Sequence, residues 1–182
     1  MTSTRQSADW QALAEDHRSA LGQFLATARR IPPQSWTTPL GPGKWSPAEV
    51  TSHLAQSYRV LRAELAGGKG MALRLPYWQR WMLRRRILPG ILAGKGFPAN
   101  ARAPKETRPR DNLTDAREAL RILADEAEGF AQELTARASS ERVRLTHAYF
   151  GAMSARQSLQ LVTVHTRHHA HQLEGIPREI AG

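Results

Sequence analysis

Residues 164–173 read Val-His-Thr-Arg-His-His-Ala-His-Gln-Leu and hold four of the seven histidines in the 182-residue chain. His165 and His169 are four residues apart, so on a helix their side chains project from one face with Cβ atoms about 5–6 Å apart. Two imidazoles at this spacing can bind one metal ion, as they do in helical zinc sites. The stretch therefore predicts two ligands of a metal site on one helix, and the rest of the chain must supply a third.

The chain around this stretch has the periodicity of four amphipathic helices. The first is predicted over about residues 7–30, and the third begins near residues 112–114 with apolar residues at alternating spacings of four and three. The second and fourth begin at Ser46-Pro47-Ala48-Glu49 and Ser154-Ala155-Arg156-Gln157, each with the pattern of a capping box. This pattern and the chain length predict a single all-α domain over residues 1–182.

The helix phase selects which histidines face the core. It places His165 and His169 on the inner face of the fourth helix, His168 at the shoulder of that face and His171 well away from it. His53 lies on the inward stripe of the second helix, at a position where an apolar residue would be expected. Because four-helix bundles build metal sites from side chains on facing helices, His53 is the candidate third ligand.

Other interpretations of these polar residues stay open. A histidine on an apolar stripe is more often a hydrogen-bonded core residue than a ligand, and the pattern favours that role for His17. His147 lies in a predicted loop, bracketed by Ser139-Ser140 and Gly151, where exposure to solvent is favoured over a place at the mouth of a pocket. Gln172 is either a polar core residue or a support for a ligand.

The composition limits the chemistry. The chain has no cysteine, which excludes thiolate ligands, disulfides and a cysteine nucleophile, so any metal must be bound by His, Asp or Glu. The N-terminus has no apolar stretch of the kind found in signal peptides. The charges within residues 71–92 argue against a membrane-spanning helix. We therefore expect a cytoplasmic location.

The net charge of +10 belongs to one segment. Residues 67–110 hold eleven basic residues and one acidic residue, Glu106, so the remainder of the chain is neutral. Tyr77, Trp78 and Trp81 lie among these arginines, in a short amphipathic helix predicted from about residue 76 to 88. The segment could bind an anionic lipid surface or a nucleic acid. We favour the interpretation in which the aromatic residues pack on the bundle or a dimer partner and the arginines face solvent.

Three segments resemble a known family when they are taken together and in order. They are Lys-Trp-Ser-Pro-Ala-Glu-Val-Thr-Ser-His-Leu at 44–54, His-Ala-Tyr-Phe-Gly-Ala-Met-Ser at 147–154 and His-Thr-Arg-His-His-Ala-His-Gln-Leu at 165–173. These segments resemble the DinB-like (DinB/YfiT-like) superfamily of metal-dependent enzymes. The resemblance implies a four-helix bundle of up-down-down-up order, with a long connection between helices two and three that matches the basic segment 67–110. It also implies a homodimer.

The resemblance extends to the site. It implies a divalent ion, Ni²⁺ or Zn²⁺, bound by His53, His165 and His169. Characterised branches of the superfamily act on thiol cofactors, as mycothiol-dependent maleylpyruvate isomerase and bacillithiol S-transferases. The implied function is therefore a metal-dependent transferase or hydrolase that activates a low-molecular-weight thiol or water for attack on a small-molecule substrate, with His147 or His168 as proton carrier. The alternative is a non-catalytic bundle stabilised by its metal, whose basic segment 67–110 binds an anionic partner.

Overall fold

The computed structural model describes residues 2–98, 101–137 and 143–176, with their side chains from residue 9 onward. Six helices and one hairpin follow each other along these residues. They are α1 (Thr2–Ala28), α2 (Pro47–Leu65), α3 (Tyr77–Arg86), α4 (Leu88–Leu92), α5 (Ala116–Arg137), β1 (Arg144–His147), β2 (Gly151–Ser154) and α6 (Ala155–Glu174). The chain is thus mostly helical, and its four long helices lie close to the predicted ranges.

The four long helices pack against each other around one core. α1 packs on α6 and α5, and α2 packs on α5 and α6. The predicted apolar stripe of α5 is buried from Leu120 to Leu134, with Leu123, Phe130 and Leu134 inaccessible to solvent. Burial of each such side chain contributes roughly 1.5–3 kcal/mol to folding. The up-down-down-up order of the helices stays a prediction.

Both predicted capping boxes are present, and they set where the site-bearing helices begin. The Ser46 hydroxyl accepts a hydrogen bond from the Glu49 amide at 3.2 Å, and the Glu49 carboxylate accepts one from the Ser46 amide at 2.8 Å. Ser154 and Gln157 repeat this exchange at the start of α6. Since a helix turns by about 100° per residue, a defined start determines which residues of α2 and α6 face inward.

The segment before α6 is a hairpin, where the sequence favoured a loop. β1 pairs antiparallel with β2, with Leu145 opposite Met153. Gly151 begins β2 with φ of 72°, a left-handed conformation that glycine adopts without strain. The Glu64 carboxylate on α2 accepts hydrogen bonds from the Thr146 amide and from its hydroxyl, the latter at 2.7 Å, and so ties the hairpin to the bundle. Ser139-Ser140, the other predicted bracket of the loop, lies outside the described residues.

The connection between α2 and α5 contains ordered elements. α3 and α4 lie within it, and their apolar residues join the hairpin and α6 in a second hydrophobic cluster formed by Leu88, Ile91, Phe150, Met153 and Leu161. A short 3₁₀ turn at Lys105–Thr107 packs against α2. This packing builds one wall of the site described below.

The orientation of α3 contradicts one part of the favoured interpretation, the packing of its aromatic residues on the bundle. Tyr77, Trp78 and Trp81 are exposed and do not pack on the bundle. Arg84 instead turns inward, where it donates hydrogen bonds to the Ala152 carbonyl and, at 3.1 Å, to the Gln157 side chain. Packing of the aromatic residues on the bundle is therefore wrong, whereas packing on a dimer partner stays a prediction; Arg74, Arg85 and Arg86 face solvent as expected. None of the helices in the described ranges is both long and apolar enough to cross a membrane.

Candidate metal centre

The structure brings the three predicted ligands together. His53 projects from α2, and His165 and His169 project from successive turns of α6. The Nε2 atom of His165 lies 3.1 Å from Nε2 of His53 and 3.0 Å from Nε2 of His169. One ligand atom from each ring lies within 4.8 Å of the others. The helix phase places His165 and His169 on one face of α6, and the packing of α2 against α6 brings His53 to them. The role of these residues as ligands stays a prediction.

The outer nitrogens of two rings are held by acceptors. Nδ1 of His53 lies 2.6 Å from the Thr107 carbonyl oxygen, and Nδ1 of His169 lies 2.8 Å from Oε1 of Gln172. A carbonyl oxygen can only accept, so each Nδ1 must carry the proton and donate it. In the neutral rings, the inward Nε2 atoms of His53 and His169 therefore present lone pairs.

This donor set fits a metal cation. The Nε2 atoms of His53 and His169 are both acceptors, and both face Nε2 of His165 at hydrogen-bond distance. His165 can donate at most one Nε2 proton, so at least one lone pair in the cluster lacks a donor among these rings. A cation resolves this conflict, and imidazole nitrogens are ligands that zinc, nickel and other transition metals accept readily. Hydrogen bonds on Nδ1 are also the usual outer contacts of metal-binding histidines.

The environment keeps the three rings neutral. Burial lowers the pKa of His53 to about 4. Burial, and then the repulsion that protonated His53 would exert, lowers the pKa of His169 to about 3. The pKa of His165 is also held well below its ordinary value, first by burial and then by the neighbouring histidines. Since a metal binds only the deprotonated imidazole, the cluster is in its binding-competent form at neutral pH.

Aromatic side chains border the cluster. The Trp45 ring lies 4.8 Å from the His53 ring, centroid to centroid, and Phe97 lies 5.5 Å from His165 and 5.2 Å from His168. They make the surroundings of the imidazoles largely apolar on these sides. Sequence reasoning missed Phe97 and the Thr107 carbonyl as parts of the site, because both lie in a Gly/Pro-rich stretch without periodicity.

A large cavity opens beside the three histidines. Its volume is about 1260 Å³, above the usual range for sites that bind small molecules. Its walls come from α2, α3, α4, the hairpin, α6 and residues 101–109. Most of the lining is apolar, and Lys44, Arg102 and Arg108 are its basic residues. Apolar residues that line it include Leu83, Ile87, Ile91, Phe97, Phe150 and Leu161.

His147 lies in the wall of this cavity. It ends β1 and stacks on the Phe150 ring at 4.7 Å. Its Nδ1 accepts a hydrogen bond from the Tyr149 amide at 3.3 Å, so the ring proton is on Nε2. Burial lowers the pKa of His147 to about 4. The favoured interpretation of a solvent-exposed loop residue is therefore wrong.

The remaining histidines take different places. His168 lines the cavity, and its Nε2 accepts a hydrogen bond from the Gln172 amide at 3.0 Å, so Gln172 connects it to His169. Burial, and then the charge of His171, lowers the pKa of His168. His17 is buried in the core and hydrogen-bonded to the Tyr58 hydroxyl at 3.0 Å, as expected. His171 is exposed beside Glu174.

Comparison with known proteins adds the following findings. The model of the DinB superfamily matches residues 16–173, which is most of the chain. A similar solved structure is described as "YfiT from Bacillus subtilis is a probable metal-dependent hydrolase with an unusual four-helix bundle topology". It is 14% identical with a TM-score of 0.56, over 90% of this chain and 83% of that chain. At this identity the likeness shows a shared four-helix-bundle fold. No curated protein matches the chain.

Proposed function

The chain belongs to the DinB superfamily, and on that premise we propose that it is a metal-dependent enzyme acting on a small molecule. The observation that carries the proposal is the convergence of three Nε2 atoms at the wall of a large cavity. The description of YfiT as a probable metal-dependent hydrolase supports the class of reaction.

His53, His165 and His169 would hold a divalent ion, Ni²⁺ or Zn²⁺. Three protein ligands leave room for a further ligand, as in catalytic zinc sites. When bound, such an ion acts as a Lewis acid that lowers the pKa of a water or thiol and polarises a carbonyl. The nucleophile is accordingly water or a low-molecular-weight thiol, and the reaction is hydrolysis or transfer on a small-molecule substrate.

The chain's own groups prepare this site in three ways. The Thr107 carbonyl and Gln172 orient the rings of His53 and His169 through their Nδ1 protons. Trp45 and Phe97 keep water from the adjacent ring faces. The apolar walls of the cavity bind the body of the substrate, while Lys44, Arg102 and Arg108 offer positive charge to an anionic group on it.

His147 and His168 are the candidates for direct contact with the substrate. With a pKa of about 4, His147 is neutral at neutral pH, lies in the cavity wall and carries its ring proton on Nε2. A neutral imidazole of this kind can donate a hydrogen bond to an oxygen that gains negative charge in the reaction. His168 is the candidate proton carrier, because it lines the cavity and is connected to His169 through Gln172.

The wider architecture belongs to the same proposal. We assign residues 1–182 to one domain, with helices in up-down-down-up order and residues 67–110 as a long basic crossover. We also propose that the protein forms a homodimer and is located in the cytoplasm. The resemblance to the superfamily supports the helix order and the dimer.

The test uses metal-loaded protein and two sets of substrates. Chromogenic esters report hydrolysis, and an electrophile supplied with low-molecular-weight thiols reports transfer. We expect turnover in one set, abolished by His53→Ala and retained by His171→Ala, which removes an exposed histidine from α6. Equal turnover by the native chain and His53→Ala would overturn the metal-dependent mechanism.

A purely structural ion is the second candidate. The three histidines join α2 to α6, so an ion bound there would cross-link the bundle and contribute to its stability. Chelation followed by thermal melting separates the two functions. A fold that survives chelation while turnover is lost indicates catalysis, and a fold that melts with the metal indicates a structural ion.

A further inference from the structure

The exposed apolar surface of the described residues is concentrated on one helix. Tyr77, Trp78 and Trp81 of α3 are 75%, 60% and 56% exposed. Of the other large hydrophobic side chains that are exposed in the described residues, Met82 is on the same helix and Leu73 precedes it in the chain. Contiguous apolar surface of this kind marks sites of interaction with proteins, membranes or ligands. We name Tyr77, Trp78, Trp81 and Met82 the aromatic face of α3.

Contacts on the opposite side of α3 fix this orientation. Leu83 packs on the second hydrophobic cluster, Arg84 donates hydrogen bonds to the hairpin and to Gln157, and Arg80 lies against Gly151. A surface helix ordinarily buries its apolar side and exposes its charged side. Here residues 80, 83 and 84 face the rest of the protein. Rotation of α3 about its axis would break their contacts, so these contacts hold the aromatic face toward solvent.

The charge around the aromatic face is positive. Arg85 lies over the Trp81 ring at 5.9 Å, Arg86 is exposed next to it, and residues 67–110 account for the net charge of +10. A second copy of the chain docking through the same face would bring these like charges together. A partner that carries negative charge beside an apolar region would complement both the positive charge and the exposed apolar surface of this face.

We propose that the aromatic face of α3 docks the protein on an anionic lipid surface. Tryptophan and tyrosine rings are favoured at the level of the lipid headgroups, and an interfacial helix combines such rings with basic residues. Arg85 and Arg86 pair with lipid phosphates at the edge of the face. A single-stranded nucleic acid fits less well, because it needs a basic groove that follows its backbone, whereas this face is made of apolar side chains on one short helix, with Arg80 over Tyr77 and Arg85 over Trp81.

Docking in this way has a geometric consequence. Leu83 and Ile87, on the inner side of the same segment, line the large cavity. The cavity is then separated from the lipid by a single helix, whose diameter with side chains is about 10 Å.

The test measures binding of the full chain to phosphatidylcholine vesicles with and without phosphatidylglycerol. We expect co-sedimentation with the phosphatidylglycerol vesicles at low salt, a shift of tryptophan emission to shorter wavelength, and release at high salt. Trp78→Ala/Trp81→Ala should weaken binding by roughly tenfold or more through lost apolar burial. Arg85→Ala/Arg86→Ala should weaken it by about fivefold per arginine. Arg18→Ala/Arg121→Ala, which removes the same charge from exposed positions on α1 and α5, should bind as the native chain does.

Several results would overturn the proposal. They are no binding to phosphatidylglycerol vesicles at low salt, and equal weakening by the two arginine pairs. Tighter binding to an oligothymidylate than to the vesicles would assign the face to nucleic acid. Self-association without lipid that Trp78→Ala/Trp81→Ala abolishes would assign it to a second copy. Circular dichroism of each variant verifies that it is folded, and none of these measurements depends on the metal.

Discussion

Substitution of Gln172 by leucine tests how the metal centre is organised. Oε1 of Gln172 accepts the Nδ1 proton of His169 at 2.8 Å, and its amide donates to His168 at 3.0 Å. Gln172→Leu keeps a similar volume but leaves the buried Nδ1–H of His169 without its acceptor. The His169 ring then loses both its fixed orientation and the hydrogen bond that makes Nε2 a stronger donor to a metal.

The expected magnitude follows from that one bond. A buried donor left without its acceptor costs about 1–3 kcal/mol. Loss of such an outer contact on a ligating histidine typically lowers metal affinity by about 10–100-fold. We therefore expect Gln172→Leu to raise the Kd for Zn²⁺ or Ni²⁺ by about 10–100-fold without unfolding the chain.

Competition with a chromogenic chelator measures this change, and two variants control it. Gln160→Leu makes the same substitution on α6 at a position that does not line the cavity, and it should leave the Kd unchanged. Gln172→Glu restores an acceptor for the His169 proton while it removes the amide donor to His168, and it should bind metal at least as tightly as the native chain. If Gln172→Leu and Gln160→Leu bind the metal equally well, Gln172 does not support the site.

Three further predictions concern other parts of the molecule. Burial lowers the pKa of His17 from 6.5 to about 4. Between pH 6.5 and 4, His17 is therefore protonated in the unfolded chain and neutral in the folded chain. Proton uptake by the unfolded chain lowers the free energy of unfolding by roughly 3 kcal/mol as the pH falls through this range. Urea titrations should show a weaker acid dependence in His17→Leu, and an unchanged dependence would refute the assignment. His147→Phe keeps the aromatic stack on Phe150 but removes the Nε2 proton. We expect kcat to fall by about a hundredfold while the metal content stays the same. Full activity of this variant would exclude His147 from the reaction. Glu64→Ala leaves the Thr146 amide and hydroxyl without their acceptor. Chemical denaturation should show that the free energy of unfolding falls by roughly 1–3 kcal/mol. An unchanged free energy of unfolding would show that the hairpin does not depend on this contact.

Local patterns explain which parts of the structure are predictable. The capping boxes at Ser46 and Ser154 involve residues only three positions apart, so the sequence contains the whole interaction. Once each helix start is known, the period of 3.6 residues determines the direction of His53, His165 and His169. The inward direction of each imidazole could therefore be predicted from local sequence, whereas the approach of His53 to His165, 112 positions further along the chain, depends on the packing of α2 against α6.

Nonlocal contacts explain the rest. The strands of the hairpin have four residues each and depend on Glu64, which is 82 positions from Thr146 along the chain. Thr107 contributes a backbone carbonyl, which every residue carries, so no pattern of side chains can reveal it. The orientation of α3 depends on the bonds that Arg84 makes to Ala152 and Gln157, and hydrophobic periodicity alone predicts the opposite orientation.

The proposed metal centre requires that His53, His165 and His169 together bind one metal ion. Elemental analysis of the purified chain beside the His53→Ala, His165→Ala and His169→Ala variants, with His171→Ala as control, tests it most directly. We expect close to one equivalent of nickel or zinc in the native chain and in His171→Ala, and little or none in the three ligand variants although they stay folded. Equal metal content in all five proteins, or none in the native chain after loading with either ion, would contradict it.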